Sequence, residues 1–540
     1  MLMGIFMKRI FFYLLILPLF FSSCAEKRSL PKHPSELRLS LPEDPVTLDP
    51  RKGGDATSST LQFMLFEGLT KFNPDGSVSL GQCSSVHISP DQKTYTFRLG
   101  NTKWSNGKPV TSYDFERAWK AILSPSFPSP NAHLLYPILY AEEVKKGDKP
   151  MKDVGIAAPD PSTLIITLER ETPYFLNLVS FCVFFPIPSG VETDYPDWAF
   201  HGGPHFVSNG PFILEDWKHN NEIILKKNPL YHDPSQVHLD QVHISIIRSE
   251  QTAFELYQRG DLDLIGPPFS SIPLDARLIA KNQSELLVSP SAVTTFITFN
   301  IGVFPFSNAH LRKALGLAID RKEIVENVTH LDETAAFCAV PPALKPNGCF
   351  SFYQDAKKEL ATSYLNKALE ELSLSKKELE SFLTYFYPQS ELNHKVAQVL
   401  QEQWRETLGL HVKLSLMDKS SHTDLLSKKK HLFSQSLYRA QYADPMNILE
   451  RFKYKQNVKN YSSWEHPLFQ SLLDLSFKES GQKRMALLEK AEGLLLEEAA
   501  IAPLFHSNLC YLIKPDIENI QLSPLGGLFF ERLKVKQQDP

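Results

Sequence analysis

What the chain lacks narrows its chemistry first. Its 540 residues hold no GxSxG elbow, HExxH helix, GxxxxGKS/T loop or GxGxxG turn, the spacings on which serine hydrolases, zinc peptidases, NTPases and dinucleotide enzymes are built. That absence favours a binding protein over an enzyme. A glycosidase leaves no such trace, because two carboxylates facing across a cleft need no fixed spacing, so an exported hydrolase is the rival class. Cysteine is scarce, six in all with no CxxC pair, which removes thioredoxin-like and zinc-ribbon designs. The 17 histidines are scattered. His201 and His205 come nearest to a pair, but intervening glycines make that segment a loop, and no Cys or carboxylate beside them completes a metal set. No metal, cofactor or catalytic residue is therefore expected. Neither charge sign dominates: 57 Lys+Arg against 61 Asp+Glu leave −4, which argues against a nucleic-acid partner. Glycine is sparse beside proline, 24 against 39, so connections should be long and well packed rather than flexible. Repeats, low-complexity tracts and charge blocks are missing, and no apolar run beyond the N-terminus is long enough for a span.

The one continuous apolar run, residues 10–21, follows Lys8-Arg9 and leads into Ser22-Ser23-Cys24. A charged start, a short greasy core broken by Pro18 and small residues at the exit make a secretory signal, not a permanent helix. Met7 would also serve as a start. Cys24 after two serines resembles the lipobox of bacterial lipoproteins, with Phe21 where such boxes usually carry Leu; ordinary cleavage beside a chance cysteine is the alternative. Acyl chains contribute about 0.8 kcal/mol per buried CH₂, so several hold a soluble domain at a membrane. The expectation is a signal peptide over 1–23, a lipid anchor with tether over 24–34, and a periplasmic, membrane-anchored protein of the cell envelope. Of the other cysteines, Cys338 and Cys349 are near enough to bridge a loop around Pro341-Pro342 in an oxidising compartment. Buried free thiols are the equal alternative for all five.

Alternation from Leu37 to Leu41 opens the folded part with a strand. Asp75-Gly76 and Asn106-Gly107 are turn signals. Tyr95, Phe97 and Leu99 alternate as a half-buried strand, and Thr111 with Asp114 starts a helix whose stripe is Phe115, Ala118, Trp119 and Ile122. Further strands are expected at 163–168, 241–247 and 410–416. Helices are expected around Leu311–Ile319, around Val396–Leu408 with Gly409 as its C-cap, and over 484–498. Strands and helices mix without strict alternation, which implies α+β or mixed α/β lobes.

Read in order, several segments resemble the oligopeptide/dipeptide-binding proteins of bacterial ABC importers. They include Leu48-Asp49-Pro50, Glu67-Gly68-Leu69, Tyr95-Thr96-Phe97-Arg98-Leu99 and residues 103–111, Lys-Trp-Ser-Asn-Gly-Lys-Pro-Val-Thr. Ser208-Asn209-Gly210-Pro211-Phe212, Gly260-Asp261-Leu262-Asp263, Ala318-Ile319-Asp320-Arg321 and Tyr442-Ala443-Asp444-Pro445 continue the series. Each is weak alone; their order across about Leu37 to Pro515 is specific. Departures are Val86-His87, where a tryptophan is usual, and Gln92, where a turn glycine is typical.

The resemblance implies a two-lobed, hinged periplasmic-binding-protein fold built from three domains. Lobe I would comprise 35–66, 196–293 and 506–540, with an inserted domain over 67–195 and lobe II over 294–505. It implies a monomeric receptor without catalysis, which closes on an extended peptide and delivers it to a permease with its ATPase. Carried over by position, the ligand-facing candidates are Gly54, Asp55 and Ala56, with Tyr438, Arg439, Ala440, Gln441 and Asp444. Gly53-Gly54 would let backbone approach a ligand closely. Such peptide binders commonly place an aspartate, partner of the peptide's free amine, where Gln441 stands here. Glutamine accepts from an ammonium without neutralising it. Three readings stay open. Another acid, Asp444 or Asp55, takes the amine; the ligand lacks an ordinary amine, as a modified or cell-wall peptide would; or the register is shifted and binding is weaker. A non-peptide ligand (metal chelate, haem or sugar) in the same fold is the wider alternative. Asp444 before proline also reads as a plain turn and capping device, and Arg439 as either a solvent-facing residue or a cation that favours an anionic or neutral ligand end.

Overall fold

The computed structural model describes residues 35–267, 269–281, 284–345, 355–525 and 527–536. Strand β1 (Glu36–Leu41) runs parallel to Gln241–Ile246 at the edge of a four-stranded sheet completed by Glu222–Lys227 and Phe212–Lys218. Alternation marks it as a strand, and five of its six residues are buried. The segment after residue 259 covers the polar side. Arg38 forks onto Asp263 at 2.9 Å and donates to the Gly260 carbonyl at 2.7 Å, and the Ser40 and Ser270 hydroxyls bond to each other. Helix α1 (Ala56–Leu65) follows, with the Asp55 carboxylate accepting from the Ser58 N–H at 2.8 Å as its N-cap.

A second four-stranded sheet, fully antiparallel, orders Cys83–Ile88, Thr94–Leu99, Thr163–Thr167 and Ile156–Asp160. Tyr95, Phe97 and Leu99 face its core, as alternation required. At Asn106-Gly107 the chain reverses with Gly107 at φ +84°. Thr111 and Asp114 form a capping box at the start of α2 (Ser112–Leu123), and the Phe115, Ala118, Trp119, Ile122 stripe is buried. Gln92, the departure from a turn glycine, holds φ +55° in the left-handed region.

The largest sheet has β2 (Leu286–Phe299) at its centre, between β3 (Phe433–Arg439) and β4 (Ile501–Ile513), with Thr384–Pro388, Lys413–Met417, Leu264–Ile265 and Thr334–Ala335 outside them. The apolar segment after residue 500 therefore opens a 13-residue strand, which its pattern did not declare. Near their other ends β2 and β4 pair Leu286–Pro290 with Asn508–Leu512 over a small separate core of Phe254, Tyr257, Ile265 and Ile272. Their register then breaks between Pro290 and Thr294. Helix Glu391–Leu408 ends at Gly409, φ +65°, as expected. The strand expected from Leu410 begins only at Lys413 and lies at the sheet's edge, so Leu416 is 48% exposed.

Cys83, Cys182 and Cys510 are buried free thiols, and Cys338 is disulfide-bonded. Cys349, like Cys24, the signal and the tether, lies outside the described residues. Among the described residues no helix is long and apolar enough to cross a membrane.

Candidate ligand-binding site

The loop before α1, the end of β3 and the segment near residue 530 enclose a cavity of about 370 Å³. Seven of the eight positions singled out from sequence line it: Gly54, Asp55, Ala56, Tyr438, Arg439, Ala440 and Gln441. Asp444 is not among the lining residues. Its carboxylate forks onto Arg484 at 2.7 and 2.8 Å and accepts from the Met446 N–H at 2.8 Å. It caps a turn and fixes a buried arginine, which leaves it no reach toward a ligand amine. A Cβ on Gly54 would lie 2.8 Å from the Pro130 ring and one on Gly53 2.5 Å from Gln62, so internal packing also favours glycine here.

Side-chain contacts bridge the units beside the cavity. The Gln441 amide donates to Asn131 Oδ1 at 3.0 Å, and Asn131 donates in turn to the Gly53 carbonyl at 3.0 Å. Tyr174 stacks on Tyr442 with ring centres 4.7 Å apart, both rings buried, and Arg170 meets Asp474 at 3.5 Å. These contacts join the unit built on the second sheet to the unit built on the third.

Charge is unevenly spread around the walls. Glu67 is held by Tyr231 at 2.5 Å, His232 at 2.6 Å and Gln82 at 2.9 Å. Burial opposes its ionisation, yet the hydrogen bond and charge of His232, with Lys71 nearby, keep it below the usual carboxylate range. Glu531 lies in the same region, its carboxyl pushed up by desolvation. Arg439, Arg451 and Lys459 line the wall carrying Gln441. Desolvation lowers all three, Lys459 to about 7 with repulsion from Arg451 as the second cause. Behind them burial raises Glu450 to about 7, though Tyr442 donates to it at 3.0 Å. Sequence reasoning missed Asn131, Arg451, Lys459 and Glu531, whereas Glu67, Gly68 and Pro211 stood in recognised motifs.

Among the described residues no group of three or more His, Cys, Asp or Glu is placed to hold a metal. His205 stacks on Tyr195 and His201 faces His219.

Comparison with known proteins agrees with this architecture. Over residues 78–460 the chain matches the model of the bacterial extracellular solute-binding proteins, family 5 Middle. It is 33% identical over 509 residues to the oligopeptide-binding protein OppA of Bacillus subtilis, covering 94% of this chain and 93% of that one. The fold superposes on Listeria monocytogenes OppA bound to peptide with a TM-score of 0.80 at 25% identity, covering 94% and 100% of the two chains. Against the unliganded open form of the periplasmic murein tripeptide binding protein MppA the TM-score is 0.72 at 25% identity, covering 93% and 98%. The architecture of mixed helices and sheets is two-lobed.

Proposed function

The chain belongs to the bacterial extracellular solute-binding proteins of family 5, and from that membership we propose that it captures peptides between two closing lobes and delivers them to an ABC permease. One observation carries the peptide reading. Strand β3 is paired along its whole length by β2, but on its other side only Phe433 and Ser434 meet a strand. From Gln435 to Arg439 that edge has no strand partner among the described residues, and its last residues line the cavity. An extended peptide can add to such an edge through main-chain hydrogen bonds, while the space around it accepts varied side chains. Gly54, Asp55 and Ala56 form the opposite wall, and Tyr438 to Gln441 the wall that reads the backbone.

The three-domain division supports the same mechanism. Lobe I takes 35–66, 196–293 and 506–540, the inserted domain 67–195, and lobe II 294–505. The hinge lies where β2 and β4 lose register, beside residues 293 and 506. Closure seals the ligand from water, and the closed form is the one a permease selects. Cys24 carries the lipid anchor, and the protein acts as a monomer without turnover.

Native mass spectrometry and thermal shift with tri- to pentapeptides test this reading. A binding peptide should raise the melting temperature in proportion to RT ln(1 + [L]/Kd) and be recovered intact. Cleaved peptide, or no stabilisation by any member of a randomised set, sinks it.

A further inference from the structure

Part of the cavity is walled by aromatic rings. On α1 the residues Ala56, Ser59, Thr60 and Phe63 stand three and four apart, so they share one helix face, and all four line the cavity. Phe63 is the hub. Its ring meets those of Phe185, Phe181 and Phe72 edge-on, with centres 5.4, 6.1 and 6.2 Å apart. Such edge contacts fix the angle of each ring and make a rigid apolar wall. Phe181 and Phe185 are buried, whereas Phe63 and Phe72 keep part of their surface accessible, and the cavity is lined by all four.

The polar groups beside the rings are engaged within the protein. The Ser59 and Thr60 hydroxyls donate back to the Asp55 and Ala56 carbonyls at 2.8 and 2.9 Å. Those of Thr70 and Ser180 lie 2.6 Å apart, and each reaches the Leu176 carbonyl, at 2.8 and 3.1 Å. One proton goes to that oxygen and the other to the neighbouring hydroxyl. The Asp55 carboxylate caps α1, Glu67 is enclosed by three donors with Lys71 3.9 Å away, and Glu531 has Arg532 at 3.9 Å. A charged ligand group brought among the rings would lose its water with these partners already taken. An apolar group gains by leaving water there.

The same cavity reaches the free edge of β3. Leu437 stands on that edge, lines the cavity and is 54% exposed, the one exposed residue of the strand. A peptide laid along the edge projects its side chains alternately to either side. We infer that Phe63, Phe72, Phe181 and Phe185 form a side-chain pocket that selects peptides carrying a large apolar residue, above all an aromatic one, at one position. This rests on the peptide-capture reading and deepens it from capture of peptides in general to preference at one residue.

The test titrates the full-length protein in detergent with tetra-alanine and with its single-substitution set, in which each position in turn carries Phe, Leu, Lys or Glu. Calorimetry reads each dissociation constant. At one position Phe should bind about ten- to hundredfold tighter than Ala, as burial of a whole apolar side chain implies, with Leu between. Lys and Glu at that position should bind no tighter than Ala. Phe63→Ala should reduce the advantage of Phe over Ala about tenfold and leave the other positions as they were, while Phe63→Leu keeps most of it. Phe72→Ala serves if Phe63→Ala does not fold. Equal binding of Phe and Ala peptides at every position, or tightest binding by Lys or Glu, overturns the inference and leaves peptide capture standing. A Phe preference untouched by both alanine variants overturns the assignment to these rings. Binding by no peptide of this set or of a randomised library overturns both readings.

Discussion

Gln441 Nε2 and Asn131 Oδ1 meet at 3.0 Å beside the cavity, joining the segment just past the end of β3 to the unit built on the second sheet. On the proposed closure of the lobes, a hydrogen bond that forms as they close biases closure, and through closure it biases affinity. Asn131→Ala should weaken ligand binding about fivefold, the worth of roughly 1 kcal/mol. A double-mutant cycle with Gln441→Ala, read by calorimetry, should return a coupling of about 1 kcal/mol. Strictly additive losses would mean that the contact does not hold the lobes.

Asp444 is a structural acid. Removing it leaves the Arg484 guanidinium, which is buried, without its partner. Asp444→Ala should cost about 3–5 kcal/mol of stability by urea unfolding. The ratio of affinities for free-amine and N-acetyl peptides should stay unchanged. A shift in that ratio would restore Asp444 as the amine's partner.

Gln92 holds φ +55° in the turn between two strands. A left-handed conformation costs a side-chain-bearing residue about 1–2 kcal/mol, partly offset by glycine's greater freedom when unfolded. Gln92→Gly should therefore stabilise by about 0.5–1 kcal/mol, seen as a higher urea midpoint at unchanged slope.

Acid should unfold the protein through its buried imidazoles. Desolvation depresses His422 and His431 to about 4 and His506 to about 3. Stability from keeping them neutral is fully present above the unfolded value near 6.5 and drains as pH falls toward 4. With three protons taken up on unfolding, the loss approaches about 4 kcal/mol per pH unit. Glu450, raised to about 7, works the other way and adds stability as pH falls below 7. Unfolding free energies at pH 7, 6 and 5 should decline ever more steeply, and a flat profile would contradict the burial of these rings.

The proposed lipid anchor rests on one thiol. Cys24→Ala should move the mature protein from the membrane fraction to the soluble one and abolish labelling by a clickable palmitate analogue. Continued membrane retention of that variant would reject the lipid anchor.

How much was legible follows from how local each feature is. The Thr111–Asp114 capping box, the Tyr95-Phe97-Leu99 alternation and the Gly409 cap depend on neighbours within a few residues, and they stand as read. The strand end 438–441 was placed through the order of motifs along the chain. Asn131, Lys459 and Glu531 reach the cavity from distant stretches, where no spacing announces them. The packing of Gly54 against Pro130, some 76 residues on, was likewise not announced by any spacing. Leu416 shows the remaining kind of failure: alternation gives the period of a strand, but whether a face is covered depends on its position in the sheet.

The Tyr174–Tyr442 stack, buried and flat between the inserted domain and lobe II of the proposed division, has a thermodynamic signature. Parting the lobes would return both rings, and Phe477 beside them, to water. Closure therefore removes aromatic surface that no ligand covers, so part of the negative heat-capacity change on binding belongs to the protein alone. The binding enthalpy should grow more exothermic on warming even for the smallest ligand, and that slope should shrink when Tyr174 is replaced by a smaller residue.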